Sequence, residues 1–234
     1  MTFSEFQIDY DTHKLACDWC GEKSPRPLVI LHGAGNGTRE RFTPLRQKLN
    51  LEGFASLALD FIGHGKTGGQ LASSSLSRRD SQARALIQSS NVSTPLRLLG
   101  SSMGAYNAIK LTEANNVETL ILFVPGVYSR ESYNITFGPE FSNVIRRERN
   151  WEATDAWEIL SKFEGDLLII AAGKDPIIPS EIPERLYESA AIARSRELHW
   201  VKDSPHLLVH YLNENASAME TVFDKIRSIL QKGV

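Results

Sequence analysis

Six short apolar runs, separated by stretches of helical period, restrict this chain more than any other feature. They read PLVILH (27–32), FASLALD (54–60), PLRLLG (95–100), ETLILFV (118–124), DLLIIAA (166–172) and ELHWV (197–201). Near-continuous apolar strands of this kind suit a sheet whose two faces are both covered by helices. The stretches between them carry helical spacing. Phe42, Leu45 and Leu49 line one face, as do Ala105, Ala108, Ile109 and Thr112. The last stretch is the clearest, with Met219, Val222, Phe223, Ile226, Ile229 and Leu230 at i, i+3, i+4, i+7, i+10 and i+11. Strand and helix alternating in this way predict right-handed crossovers, and so an α/β fold with a mostly parallel sheet and helices on both faces.

Two segments depart from that rhythm. The first twenty residues alternate, with Phe6, Ile8 and Tyr10 sharing one face, Leu15, Cys17 and Trp19 sharing another, and Asp11-Thr12 between them. That pattern predicts an N-terminal antiparallel hairpin. The interval between runs 118–124 and 166–172 spans roughly 40 residues, more than one crossover needs. It holds Tyr128, Tyr133, Phe137, Phe141, Trp151 and Trp157, and a helical face from Ala153, Ala156, Trp157, Leu160 and Phe163. The expectation is a short helical lid, residues 125–165, inserted in a single domain that spans 1–234.

A chain of 234 residues that is 41% hydrophobic and 23% charged can bury a sizeable core without disulfides or structural metal. A formal net charge of −2 offers no electrostatic reason to expect nucleic acid or an anionic membrane as a partner. The N-terminal MTFSEFQIDYDTHKL has no basic region followed by an apolar run, so it does not read as a secretory signal. No apolar stretch approaches the ~18 residues of a membrane span, so no membrane insertion is expected. The two cysteines, Cys17 and Cys20, have no second Cys/His pair at metal spacing. Three apart on a strand, they also face opposite ways. They read as reduced thiols, with the cytoplasm as the default location. Oligomeric state leaves no sequence signal here.

Gly100-Ser101-Ser102-Met103-Gly104 matches G-x-S-x-G. Such a pentapeptide arises by chance in about one chain in ten of this length, so its setting carries the weight. The strand PLRLLG runs straight into it and a small-residue helix, AYNAIKLTEA, runs straight out. In a strand-to-helix turn that sharp, flanking glycines avoid clashes and the central side chain is pushed out at the carboxyl edge of the sheet. The helix N-terminus beneath it favours developing negative charge. The plainer alternative is Ser102 as an ordinary helix N-cap.

With a hairpin, alternating strands and helices, and this motif after the fifth strand, the chain resembles the α/β-hydrolase superfamily over nearly its whole length. The resemblance implies a serine hydrolase in which nucleophile, acid and histidine follow in that chain order, each after a strand. Ser102 matches the nucleophile. Asp175, in Gly173-Lys174-Asp175-Pro176 after DLLIIAA, matches the acid; otherwise it is a turn aspartate ahead of a proline. Of its rivals, Asp155 and Asp166 precede their strand and Asp203 directly follows the last one. His206, in Asp203-Ser204-Pro205-His206, matches the base, whereas His13 lies in the hairpin, His199 within a strand and His210 at the start of the final helical region. The family's oxyanion hole takes one backbone N–H after the nucleophile, here Met103. It takes the other from the loop after the third strand, Leu31-His32-Gly33-Ala34-Gly35-Asn36-Gly37, which implies Ala34, with His32 and Gly33 structural. No cofactor and no metal are implied.

Two segments imitate nucleotide-binding loops. Gly33-Ala34-Gly35-Asn36-Gly37 follows a strand, but G-x-G-x-x-G requires glycine where Thr38 stands. Gly65-Lys66-Thr67 mimics the end of a phosphate-binding loop, but Asp60 replaces its first glycine and would set a carboxylate among phosphate oxygens. The expected activity is therefore acyl transfer to water on a small or medium, largely apolar acyl ester or thioester. A triad-bearing ligand sensor with little turnover is the alternative from another class. Lactone, amide and carbon–carbon bond hydrolysis and perhydrolysis use the same triad. Arg146, Arg147 and Arg149 read either as a clamp for an anionic tail or as a solvated helix face.

Overall fold

Alternating apolar residues at the start of the chain pair off as β1 (Phe3–Tyr10) and β2 (His13–Cys20), in a computed structural model that describes residues 3–232. The expected domain limits at 1 and 234 lie outside those residues. Phe6 stands opposite Cys17 and Ile8 opposite Leu15. Directly opposed residues of an antiparallel pair point to the same side. The two sets expected on different faces therefore share one, and Ile8, Leu15, Cys17 and Trp19 enter the same core cluster.

The six apolar runs become β3 (Leu28–Leu31), β4 (Ser56–Leu59), β5 (Leu96–Ser101), β6 (Val117–Phe123), β7 (Asp166–Ala172) and β8 (Ser195–Val201). The sheet order is β1-β2-β4-β3-β5-β6-β7-β8. β2 runs antiparallel to both its neighbours, and every pair from β4 to β8 is parallel. Period-two alternation splits the core into two layers. Val29, Leu31, Leu120, Leu122, Leu167 and Ile169 face one layer. Leu28, Ile30, Ile121, Phe123, Leu168 and Ile170 face the other.

Each layer is closed by helices whose apolar stripes match it. α1 (Thr43–Leu51) covers the second layer with Leu45 and Leu49. α2 (Leu76–Ser89) and α3 (Met103–Thr112) cover the first. Within the long interval, α4 (Pro139–Ile145) and α5 (Ala156–Leu160) bury Phe141, Ala156, Ile159 and Leu160 in that same first layer. Phe137 and Phe141 meet edge to face at 4.9 Å, and Tyr128 and Tyr133 each pack against Tyr106 of α3. These rings fasten the segment to the body of the protein. α6 (Glu181–Ser189) joins the first layer through Ile182 and Leu186. The final helical region is two helices, α7 (Leu208–Glu214) and α8 (Ala216–Gln231), divided at Asn215. The stripe read from sequence, Met219 to Leu230, is buried as expected. No helix among the described residues is long and apolar enough to cross a membrane.

Charge is also buried beneath the hairpin. Asp18 of β2 accepts from Arg39 Nε at 2.7 Å and from Arg46, which also donates to Ser56 Oγ at 2.9 Å. Asp18, Arg39 and Arg46 are each at most 4% exposed. Arg39 further pairs with Asp60, whose carboxylate accepts the N–H groups of Arg39 and Lys66. Asp60 thus fills the turn that imitates a phosphate loop: a side chain at Gly65 would overlap its carboxylate. Cys17 and Cys20 are buried free thiols, and burial pushes Cys17 up to about 12.

Removing one partner from a buried ion pair leaves the other charge stranded, at a cost of about 3–5 kcal/mol. Asp18→Ala strands Arg46, whereas Arg39 keeps its pairing with Asp60. Urea unfolding of that variant is expected to show a loss of at least ~3 kcal/mol; a loss under ~1 kcal/mol would mean the network adds nothing to stability.

Candidate active site

β5 ends at Ser101 and α3 begins at Met103, so one residue must turn the chain from strand to helix. Ser102 does so at φ 52° and ψ −117°, a conformation that non-glycine residues rarely adopt. The strain is held by its surroundings. Ser102 N–H donates to Phe123 O at 2.8 Å, and Ser102 O accepts from Ala105 at 3.0 Å and from Gly126 at 3.2 Å. Side chains at Gly100 and Gly104 would overlap Gly104 O and Leu31 O respectively. Both glycines are there because backbone passes against backbone.

Around Ser102 the fold gathers residues from three further loops. His206 follows β8, and its Nε2 lies 3.0 Å from Ser102 Oγ. Its Nδ1 lies 2.8 Å from Asp175 Oδ2, in the loop after β7. The carboxylate can only accept, so Nδ1 carries the proton and Nε2 is left to accept from the serine hydroxyl. The two loops are tied by backbone bonds from Gly173 N–H to Val201 O and from Lys174 N–H to Ser204 O, both 2.9 Å. Burial raises the Asp175 carboxyl, but the hydrogen bonds from His206 and from the N–H groups of Ile178 and Ile177 outweigh it and hold the group below its ordinary value.

The loop after β3 abuts the serine. A Cβ on Gly33 would sit 3.1 Å from Ser101 O and from Ser102 Cβ. The N–H groups of Ala34 and Met103 have no hydrogen-bond partner among the described residues. His32 is buried and keeps this loop in place. Its Nε2 accepts from Phe61 N–H at 3.1 Å, so the proton is on Nδ1, 2.7 Å from Gly33 O. Burial and the neighbouring Arg79 hold the ring neutral, well below the usual histidine range. Tyr128 reaches the same place from the long interval: its hydroxyl oxygen would be 3.4 Å from a Cβ on Gly126, and it has no hydrogen-bond partner among the described residues.

The rival residues are engaged elsewhere. Asp155 binds the Tyr106 hydroxyl and Lys110, Asp166 binds Arg194 and Ser195, and Asp203 pairs with Lys174. His199 lies on β8, and His210 pairs with Glu214 along α7. Arg146, Arg147 and Arg149 are exposed, with Arg147 paired to Glu131 and Arg149 to Glu152 and Glu181. One residue beside the site escaped the sequence analysis, the fully buried Arg79 of α2. Its signal was there: Arg79 stands on the stripe of Leu76, Ala83 and Leu86, where a charge does not belong unless it is partnered.

Because Asp175 is held below the ~3.9 of an unfolded aspartate, the stability it contributes is complete above that value and lost as pH falls through the folded one. Below about pH 4, the melting temperature of wild type should fall more steeply than that of Asp175→Asn. Parallel curves would mean that this carboxylate gains nothing from its partners.

The sequence matches the family model described as serine aminopeptidase, S33, over residues 23–154, more than half of the chain. No curated protein matches the sequence. Among solved structures, an esterase from Exiguobacterium antarcticum is 23% identical, with a TM-score of 0.71 over 97% of this chain and 99% of that one. An esterase from Pyrococcus furiosus is 21% identical, with a TM-score of 0.71 over 99% and 92%. A thioesterase domain from the curacin biosynthetic pathway is 16% identical, with a TM-score of 0.71 over 96% and 100%. At such identities the likeness is one of fold, and it extends over the eight-stranded sheet and the helices around it. The family match together with this shared architecture makes the chain a member of the serine aminopeptidase S33 family of α/β hydrolases.

Proposed function

We propose that the protein is a serine hydrolase of carboxylic esters or thioesters, with Ser102 as nucleophile, His206 as general base and Asp175 as the acid that orients it. The observation that carries this reading is the unbroken relay from Ser102 Oγ to His206 Nε2 at 3.0 Å and from His206 Nδ1 to Asp175 at 2.8 Å. A serine hydroxyl needs a base to take its proton and a third group to fix the base's tautomer. In the first step Ser102 Oγ bonds to the acyl carbon, its proton passes to His206, and the carbonyl oxygen becomes an oxyanion facing the N–H groups of Ala34 and Met103. The oxyanion collapses, the bond to the leaving alcohol or thiol breaks, and His206 protonates that group. Water then attacks the acyl-serine and gives its proton to His206, and the released acid leaves Ser102 with its hydroxyl restored.

Two exposed side chains support an apolar substrate. Ile177 and Leu207, adjoining the acid and the base loops, are 63% and 54% exposed. Large apolar side chains left in water beside a reactive group suit a hydrocarbon-bearing ligand. Esterase and thioesterase names among the structural relatives favour an ester or thioester over other acyl bonds. We further take residues 125–165 as the lid of this site, with Tyr128 on its inner side. No cofactor takes part in the proposed reaction, which draws on side chains and backbone alone.

Intact mass after exposure to a fluorophosphonate probe tests the nucleophile. Wild type should gain one adduct and Ser102→Ala none, with ester turnover falling by at least ~10⁴-fold in the variant. An adduct that persists in Ser102→Ala would reject the assignment. Labelling without turnover of any ester or thioester would favour a ligand sensor. Among p-nitrophenyl esters, butyrate should give a higher kcat/KM than acetate by roughly tenfold, since it adds two methylenes and each is worth ~0.8 kcal/mol when buried, and hexanoate should be higher again. A preference for acetate would rule out the apolar site.

A further inference from the structure

Arg79 is 0% exposed, yet it forms no ion pair among the described residues. Its fork is spent on neutral acceptors. One terminal nitrogen donates to His32 O, and the other lies 3.4 Å from Gly33 O and 3.6 Å from Met103 Sδ. Nε donates to Asn107 Oδ1 of α3 at 3.0 Å, and the guanidinium lies 3.9 Å from the centre of the Phe61 ring. Asp80, its chain neighbour, turns instead to Asn107 Nδ2 and the Tyr133 hydroxyl. Burial lowers the guanidinium to about 9, which leaves it charged at neutral pH.

A buried charge without a carboxylate is costly to keep, so its placement calls for a reason. The carbonyl of Gly33 and the N–H of Ala34 belong to one planar, trans peptide unit. Whatever grips the carbonyl oxygen also fixes where the N–H points. We propose that Arg79 is a positioning residue for the oxyanion hole, aiming the Ala34 N–H at the reacting oxygen by holding the Gly33 carbonyl behind it. This rests on the acyl-transfer reading above.

Three physical consequences follow from the arrangement. A cationic donor on the carbonyl draws electron density through the amide and makes its N–H a stronger donor. Besides Arg79, the loop is held by His32 Nδ1 at Gly33 O and by the Gly37 N–H at Ala34 O, while a Cβ on Gly35, in the left-handed region at φ 61°, would meet open space. Finally, the same guanidinium spans both halves of the hole, reaching the Ala34 side through Gly33 and the Met103 side through Asn107 and the Met103 sulfur. Donors fixed before the reaction cost no reorganisation when charge develops, which is where such a site derives its catalytic advantage. His32 also donates to Gly33 O, so losing Arg79 removes part of the restraint and not all of it.

The test compares wild type, Arg79→Met, Arg79→Lys and Ser102→Ala in p-nitrophenyl butyrate turnover and in the rate of fluorophosphonate labelling. Circular dichroism and melting temperature certify the fold of each. Deleting a whole oxyanion donor costs ~10²–10³ in kcat, so loss of its support in Arg79→Met should cost about 10–100-fold, with KM changed by less than about twofold. Labelling should slow in parallel, because phosphonylation also builds negative charge on an oxygen in the hole. Lysine keeps the charge but lacks the planar fork, so Arg79→Lys should fall between the two. A folded Arg79→Met with kcat within about twofold of wild type overturns the proposal, as does a loss carried by KM alone. If the methionine variant does not fold, Arg79→Lys decides: lower kcat at unchanged KM supports the role, and wild-type kcat refutes it. Labelling that survives in Ser102→Ala would instead mean that the acyl-transfer reading itself has failed.

Discussion

The close passage of backbone against backbone at the end of β5 is the constraint on which the site depends. Gly100 and Gly104 leave room for α3 to begin against the ends of β3 and β5. Only then can Ser102 take its left-handed conformation with its side chain clear of the sheet. Such strain persists where the surroundings over-determine it. Here they are a bond to Phe123 O and bonds from Ala105 and Gly126, together with two fully packed layers on either side of the sheet. The parallel strands supply the rest by geometry. Loops after β3, β5, β7 and β8 all emerge at the same carboxyl edge, so residues as far apart as Gly33 and His206 meet around one serine.

Buried charge is handled in two contrasting ways within this one molecule. Beneath the hairpin, Arg39 and Arg46 are matched by Asp18 and Asp60, so each cation has a carboxylate and the group acts as a clasp between β2, β4 and the start of α1. Beside Ser102, Arg79 has only carbonyls, an amide oxygen, a sulfur and a ring. The first arrangement is electrically closed. The second leaves a positive field under the loop that meets the serine, and negative charge developing nearby would complete it. Neutral His32 belongs to this second group: its fixed tautomer and its bond to Gly33 O restrain the loop without adding charge.

Much of the fold was legible because it follows from short-range rules. Apolar runs of strand length, helical stripes such as Met219 to Leu230 and the alternating start of the chain each imply one element. The order of strands and helices then restricts how they can be joined. Local patterns also placed Ser102 at a strand-to-helix turn, since a strand, a glycine-flanked serine and a small-residue helix are contiguous in the chain. The face shared by Phe6, Ile8, Leu15 and Cys17 was not legible, because it depends on which residues of β1 and β2 stand opposite each other.

What the sequence determined by itself was the kind of molecule: a two-layered α/β sheet carrying a serine at a strand-to-helix turn, since periodicity and contiguity reside in the chain. Asp175 and His206 could be matched to that serine only by likeness to a family, and their distances to one another came from the folded loops. The stripe of α2 marks Arg79 as a buried charge, but its partners were decided by tertiary structure alone. Nothing contiguous with it in the chain accepts its hydrogen bonds; its partners lie 24 to 47 residues away, at Met103, Asn107, Gly33 and His32. A buried charge takes its meaning from the atoms that surround it, and those are assembled only when helix α2 closes over the sheet.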